Sequence, residues 1–148
     1  MTVELSNKLE YALLALLQLA TNYQNDEPLQ ISKIAALKNI PKRYLEQLLA
    51  TLRRGGLINS TRGSKGGYVL AREPWKITIL DVMNCMEGLE AAAVTTCHSV
   101  KETVEIKVIE EIRQEARQAA NSVLQKYTLQ DLCERQATQR SLGTMYYI

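Results

Sequence analysis

Between residues 31 and 71 the chain runs without a gap through two short helical periods, a tight connection, a double-glycine stop and two short strands joined by a glycine-rich loop. Few folds accommodate that order. Ile34, Ala35 and Leu37 give the apolar positions of a short helix over 31–38, and Asn39-Ile40 is a tight connection. Pro41 stands where a helix accepts proline as its first residue. Tyr44, Leu45, Leu48, Leu49 and Leu52 carry the period on to Arg54, and Gly55-Gly56 stops it. Two short helices so joined are helix-turn-helix grammar. Residues 57–62 and 68–71 read as strands around Gly63-Ser64-Lys65-Gly66-Gly67. A hairpin directly after the second helix is the feature called a wing in DNA-binding domains.

The rest of the 148 residues is expected to be helical. With no Phe and one Trp, the core must come from Leu, Ile, Val and Ala, with Tyr as the main aromatic volume. Ser6 is placed to cap a helix over 7–22, with Leu9, Leu13, Leu16, Leu17 and Ala20 at helical spacing. Trp75, after Pro74, is expected to anchor the hairpin to the body. Thr78 should cap a helix over 79–86 that closes at Gly88, and 91–96 reads as a small-residue loop. From 99 to 126 no Gly or Pro interrupts a long helix. Its Ile109, Ile112, Ala116, Ala119 and Val123 recur in alternating steps of three and four, a seam suited to a partner helix. At 1.5 Å per residue it would extend about 40 Å, more than the small N-terminal body can cover, so a homodimer is expected. Thr128 should cap a last short helix through Cys133, and the stretch from Thr138 carries no strong signal. The fold class is therefore mainly α with a small β-hairpin. A winged helix-turn-helix DNA-binding domain is expected over 1–76, with linker helix, sensing loop and long dimerisation helix over 77–135 and a C-terminal tail over 136–148.

Charge points to the partner. Nine basic residues and a single acid, Glu46, give 28–72 a net charge of +8, against −6 for the remainder. Such asymmetry suits a polyanion. Lys42, Arg43 and Tyr44 fall in the first turn of the second helix, the end that enters a major groove in this motif. Glu46 and Gln47 follow within a turn and could read cytosine or adenine edges. Arg53 lies further along the same helix. Arg62 and Lys65 flank a loop whose three glycines, Gly63, Gly66 and Gly67, allow backbone to approach closely, so that an arginine can enter a minor groove. The loop fails the nucleotide-cradling pattern, because a strand follows it and the Gly-Lys-Ser/Thr spacing is missing.

Other chemistries find less support. The longest apolar run, 11–17, is far short of the roughly 20 residues that span a bilayer, so no membrane partner is expected. No secretory signal is visible at the start, and three widely spaced cysteines do not suggest a disulfide framework; a reducing cytoplasm is the expected location. Cys85 and Cys133 sit beside apolar residues as small hydrophobes. Cys97 precedes the long helix and is the best candidate for a sensing thiol. No catalytic residue and no metal set can be named. A thiol enzyme around Cys97 and His98 would lack an orienting acid, and an adaptor without DNA would leave the basic stretch unexplained.

These residues carry a resemblance. Tyr44-Leu-Glu-Gln-Leu-Leu, Leu52-Arg-Arg-Gly-Gly-Leu-Ile and Arg62-Gly-Ser-Lys-Gly-Gly-Tyr-Val-Leu-Ala-Arg72 are similar to the winged-helix regulators typified by the iron–sulfur cluster regulator IscR and the cysteine-metabolism repressor CymR. Lys8, Tyr11-Ala12, Ile77-Thr-Ile-Leu-Asp-Val82 and Glu87-Gly88 also resemble that family. The resemblance implies a homodimeric bacterial transcription factor on palindromic, double-stranded promoter DNA, often a repressor, with long helices crossed at the dimer interface. It puts Lys42, Tyr44, Glu46 and Gln47 near the major groove and Arg62 in the minor groove. It also implies an input, a regulatory protein or small-molecule effector, acting through the loop before the long helix. Sensing members hold a [2Fe–2S] cluster on three cysteines about six residues apart. Cys97 aligns with the first, but Thr103 and Ile109 stand near the other two. No cofactor is therefore expected, unless Cys85, Cys133 or His98 supplies unusual ligands.

Overall fold

The computed structural model describes residues 7–25, 27–64, 66–94 and 103–146. Ser6, Lys65, Cys97 and His98 lie outside them. Six helices and one hairpin follow in the order α1 (Asn7–Thr21), α2 (Ile31–Lys38), α3 (Lys42–Arg54), β1 (Ile58–Thr61), β2 (Gly67–Leu70), α4 (Ile79–Val94), α5 (Val104–Lys126) and α6 (Leu129–Tyr146). Short 3-10 turns stand at Tyr23–Asn25 and Pro74–Lys76.

The core forms where α1 crosses α3 and the hairpin. Leu9, Ala12, Leu16 and Leu19 of α1 meet Leu45, Leu48, Leu49 and Leu52 of α3, with Ile34, Leu57, Ile58 and Leu70 closing the sides. Each fully buried leucine contributes about 1.5–3 kcal/mol, so α3's inner face alone fixes how its outer face is presented. Ile77, Val82 and Leu129 join the same core from later in the chain.

Local chemistry sets the element ends. α2 ends at Asn39, whose left-handed backbone (φ 53°) lets the Ile40 N–H reach back to Ala35 O at 3.1 Å. Pro41 is the residue before α3 rather than its first, a shift of one position. The two glycines after α3 have separate tasks. Gly56 takes φ +77°, which allows Leu57 N–H to donate to Leu52 O (3.1 Å) and Gly56 N–H to Arg53 O (3.1 Å). That is a Schellman stop, and buried Leu57 packs beneath it. Gly55 lies so close to Cys85 of α4 that an added Cβ would fall on its Sγ. β1 and β2 pair antiparallel from Ile58 opposite Leu70 to Thr61 opposite Gly67.

Four expectations are corrected in the second half. Trp75 does not anchor the hairpin. It is 56% exposed and edge-on to Tyr23, while neighbouring Pro74 is the buried residue. α4 does not close at Gly88 but runs on to Val94, so the first residues of the expected 91–96 loop are helical. One interior glycine costs about 1 kcal/mol, too little to end a helix otherwise built from good formers. The long helix begins at Val104, where Thr103 Oγ1 accepts from Ile106 N–H at 3.3 Å, and residues 99–102 lie outside the description. The last helix is not short. α6 passes Cys133 and takes up the presumed tail as far as Tyr146. Its second half is mostly exposed, so it shows no apolar period to read.

α4 and α6 start side by side. Thr78 and Asp81 cap each other's backbone N–H at 3.0 and 3.1 Å, and Thr128 and Asp131 repeat the exchange at 2.9 and 3.2 Å. The two starts are also joined as a bridge, Ile79 N–H to Tyr127 O and Leu129 N–H to Ile77 O, both 2.9 Å.

Candidate nucleic-acid interface

α3 turns one face outward. Lys42, Arg43, Glu46, Gln47, Ala50 and Arg53 are exposed on it, while the leucines hold the other side. The i, i+3, i+4 spacing that buries Leu45, Leu48, Leu49 and Leu52 also sets the polar residues in a row. Among the described residues no ion pair engages Arg43, Glu46, Arg53 or Arg62, so their charges face solvent. Arg53 and Arg54 sit at the C-terminal end of the helix, where cations offset the negative end of its dipole.

Tyr44 stands apart from this row. Its ring is half-buried and meets Tyr11 of α1 edge-on, with centroids 5.4 Å apart and planes at 80°. Such a pair is worth about 0.5–1.5 kcal/mol beyond area burial, and it fixes the first turn of α3 against α1.

The hairpin is fastened as well. Leu29 and Tyr68 exchange both backbone bonds, Leu29 N–H to Tyr68 O at 3.0 Å and Tyr68 N–H to Leu29 O at 2.8 Å. The segment before α2 thus acts as a one-residue third strand. At the tip, Gly66 N–H donates to Gly63 O at 2.9 Å, with Gly63 at φ +118°. Arg62 and Gly63 are exposed there, and a groove of about 370 Å³ runs from Arg62 and Thr61 to Gln30 and Ser32 at the start of α2.

The structure therefore brings Arg43, Glu46, Gln47 and Arg53 onto one face of α3 and carries Arg62 and Gly63 on a hairpin fixed to the same core. Lys65 lies outside the described residues. Sequence reasoning missed the roles of Tyr11 and Leu29. Both act through long-range pairing, which leaves no local period.

On α5 the expected seam is bare. Ile109, Ile112 and Val123 are 54%, 63% and 51% exposed; Ala116 is exposed and Ala119 too. Val104, Ile106 and Val108 extend the apolar surface beyond the five seam residues.

The thiols do not gather. Cys85, on α4, donates to Thr51 O at 3.5 Å, and burial pushes its pKa above the ordinary thiol value. Cys133, on α6, is likewise raised by burial, against a smaller opposing hydrogen bond with Thr21. Among the described residues no three His, Cys, Asp or Glu side chains form a group able to hold a metal ion. Thr103 is a helix cap and Ile109 an exposed hydrocarbon, and neither carries a thiol. Among them no helix is long and apolar enough to cross a membrane.

Comparison with known proteins agrees with this geometry. The chain is 34% identical over 130 residues to the HTH-type transcriptional regulator CymR of Bacillus subtilis, covering 88% of this chain and 89% of the relative. It is 35% identical over 95 residues to the regulator IscR of Xenorhabdus nematophila, covering 64% of this chain and 56% of that protein. The solved structure of CymR, described as the global cysteine regulator of B. subtilis, superposes with a TM-score of 0.72 at 33% identity, covering 90% of this chain and 98% of the other. IscR of T. potens gives 0.70 at 32% identity over 91% and 89%. Relatives so named regulate transcription and are not enzymes. The family model described as "Rrf2: Iron-dependent Transcriptional regulator" matches residues 5–135, and the chain belongs to that family of winged-helix transcriptional regulators.

Proposed function

We propose that the chain is a cytoplasmic homodimer that binds inverted-repeat promoter DNA and represses transcription there. The observation that carries this reading is the exposed polar face of α3 beside a hairpin with an exposed arginine, both held on one leucine core. Lys42, Arg43 and Arg53 neutralise phosphates, with Lys65 of the wing. Glu46 and Gln47 read base edges in the major groove, and Arg62 with the Gly63 backbone enters the minor groove. Tyr44 orients the helix through Tyr11. Ile109, Ile112, Ala116, Ala119 and Val123 of α5 meet a second copy, and two DNA-binding units about a two-fold axis match a palindrome. Labour divides along the chain: residues 1–76 contact DNA, 77–135 sense and dimerise, and 136–148 follow as an extension. No [2Fe–2S] cluster of the family pattern is needed for binding; regulation acts through Cys97, a partner protein or a small molecule.

The test is fluorescence anisotropy with a promoter fragment over a range of salt. Affinity should fall steeply with salt, as counterion release demands. Salt-independent binding, or none, would favour a winged-helix adaptor instead. Protein purified without oxygen should be colourless, and chelator should leave affinity within about threefold. A brown preparation whose colour is lost in Cys97→Ala would establish a cluster with unusual ligands.

A further inference from the structure

The clefts of the described surface differ in whether their charged groups already have partners. In one, of about 560 Å³ beside α6, Asp131 accepts from Thr128 N–H, Glu134 accepts from the Gln130 amide, and the Arg135 guanidinium lies over the Tyr127 ring at 4.6 Å. Another, of about 320 Å³, lies between the end of α1, the segment before α2 and the wing strand β2. It takes apolar surface from Leu19, Val69 and Leu70 and aromatic rings from Tyr23 and Tyr68. Among its described lining residues Glu27 alone is charged. No hydrogen bond or ion pair among the described residues engages that carboxylate, which is exposed.

The backbone around Glu27 is tied at both ends. Asn22 Nδ2 donates to Glu27 O at 2.7 Å, and Asn25 Nδ2 donates to Asn22 Oδ1 at 3.1 Å. Two residues on, Leu29 exchanges both backbone bonds with Tyr68. The cleft therefore stands ready before a ligand arrives, which spares binding an ordering cost. An apolar body laid against Val69 and Leu70 gains by leaving water, and tyrosine faces attract a cation. The free carboxylate favours a positive head group, because an ammonium donates to it in a charge-assisted bond. An anion would meet Glu27 with no basic side chain in the described lining to offset the repulsion. Since Glu27 is exposed, the head group keeps part of its water, and millimolar affinity is expected.

We propose that this cleft is a small-molecule site for organic ammonium ions with an apolar body, the ammonium toward Glu27 and the body on Val69, Leu70 and the tyrosine rings. Thr61 and Tyr68 also line the groove that starts at Arg62, so an occupant rests against the strands that carry the wing.

The isotope-labelled full chain, without DNA, is titrated with phenethylamine and followed by the shifts of its backbone amides in NMR. Phenethyl alcohol, hydrocinnamate and methylammonium are titrated separately as the neutral body, the anionic counterpart and the head group alone. Phenethylamine should give saturable shifts gathered at Tyr23, Glu27, Tyr68 and Val69, with the other three at least about threefold weaker. Glu27→Gln should weaken phenethylamine about threefold or more and leave phenethyl alcohol unchanged, the amide spectrum confirming that the variant remains folded. No saturable shift below about 10 mM overturns the proposal. So do shifts gathered elsewhere on the chain, equal binding of phenethyl alcohol or hydrocinnamate, or phenethylamine affinity indifferent to Glu27→Gln. Because DNA is absent from the titration, failure here leaves the DNA-binding reading standing.

Discussion

α3 and α5 are both amphipathic, but their apolar residues meet opposite fates. Every leucine of α3 is buried within the chain, and what the helix offers outward is polar. α5 is nearly twice as long and has no buried residue at all; Val104 is 75% exposed and Ile112 63%. An amphipathic helix whose apolar face is already packed can function only through its polar face. One whose apolar face is open has an unmet association, because desolvating that surface is favourable wherever a complementary surface exists. The same kind of sequence pattern therefore leaves a charged, polar face open in one helix and an apolar face open in the other.

The largest expected effect tests the second half of that contrast. Ile112→Glu would put a charge without a partner into an α5 interface, costing on the order of several kcal/mol. Sedimentation should shift towards monomer and promoter affinity should fall with it. A folded dimer of unchanged affinity would remove the α5 seam from the assembly. Next, Leu49→Ala in α3 should lower stability by about 2–5 kcal/mol in chemical unfolding, whereas Ile109→Ala on α5 should leave protomer stability nearly unchanged at concentrations where no dimer forms. Equal losses would mean that the two helices are not different in kind. Smaller again, Arg62→Ala should cost about 1–3 kcal/mol of promoter affinity without moving the melting temperature. Unchanged affinity would take the wing out of recognition. Smallest in affinity is Glu46→Ala. Removing the one acid from the basic stretch should strengthen binding to unrelated DNA and shrink the preference for the promoter. Selection from random sequences returning one consensus for both proteins would contradict that role.

The thiols yield a prediction in pH. Burial raises both Cys85 and Cys133, so each keeps its proton to higher pH in the folded chain than in the unfolded one. Their contribution to stability is complete below the ordinary thiol range and is lost as pH rises above it. Alkylation by iodoacetamide at neutral pH should accordingly be slower for both than for a free thiol, and unfolding should abolish the difference. Mass spectrometry of the labelled peptides reads this.

The N-terminal half was legible because its signals are local. The α2 boundaries, the α3 period, the glycine stop and the hairpin each follow from residues within a few positions of one another. Even there the division of labour between Gly55 and Gly56 was hidden, since Gly55 answers to Cys85, thirty residues on. The pairing of Tyr44 with Tyr11 was hidden because the two rings belong to different helices. Trp75 read as an anchor because large aromatics usually are; which of Pro74 and Trp75 turns inward depends on a turn geometry that composition does not encode. In the second half, Thr128 was visible as a cap, but the length of α6 was not, because a helix lying mostly in solvent needs no apolar stripe.

The paired starts of α4 and α6 also govern when the molecule can become itself. Leu129 is fully buried in a core whose other members come almost entirely from before residue 87, and its N–H is bonded to Ile77 O. Closing that contact spans a loop of about fifty residues, an entropic cost of about 3–4 kcal/mol that is met only once the loop's far end exists. A ribosome that has finished the wing has therefore not finished the protein. The nascent body carries an open seat for Leu129 until the start of α6 clears the exit tunnel, and synthesis halted in α5 leaves that seat exposed to whatever apolar segment arrives first.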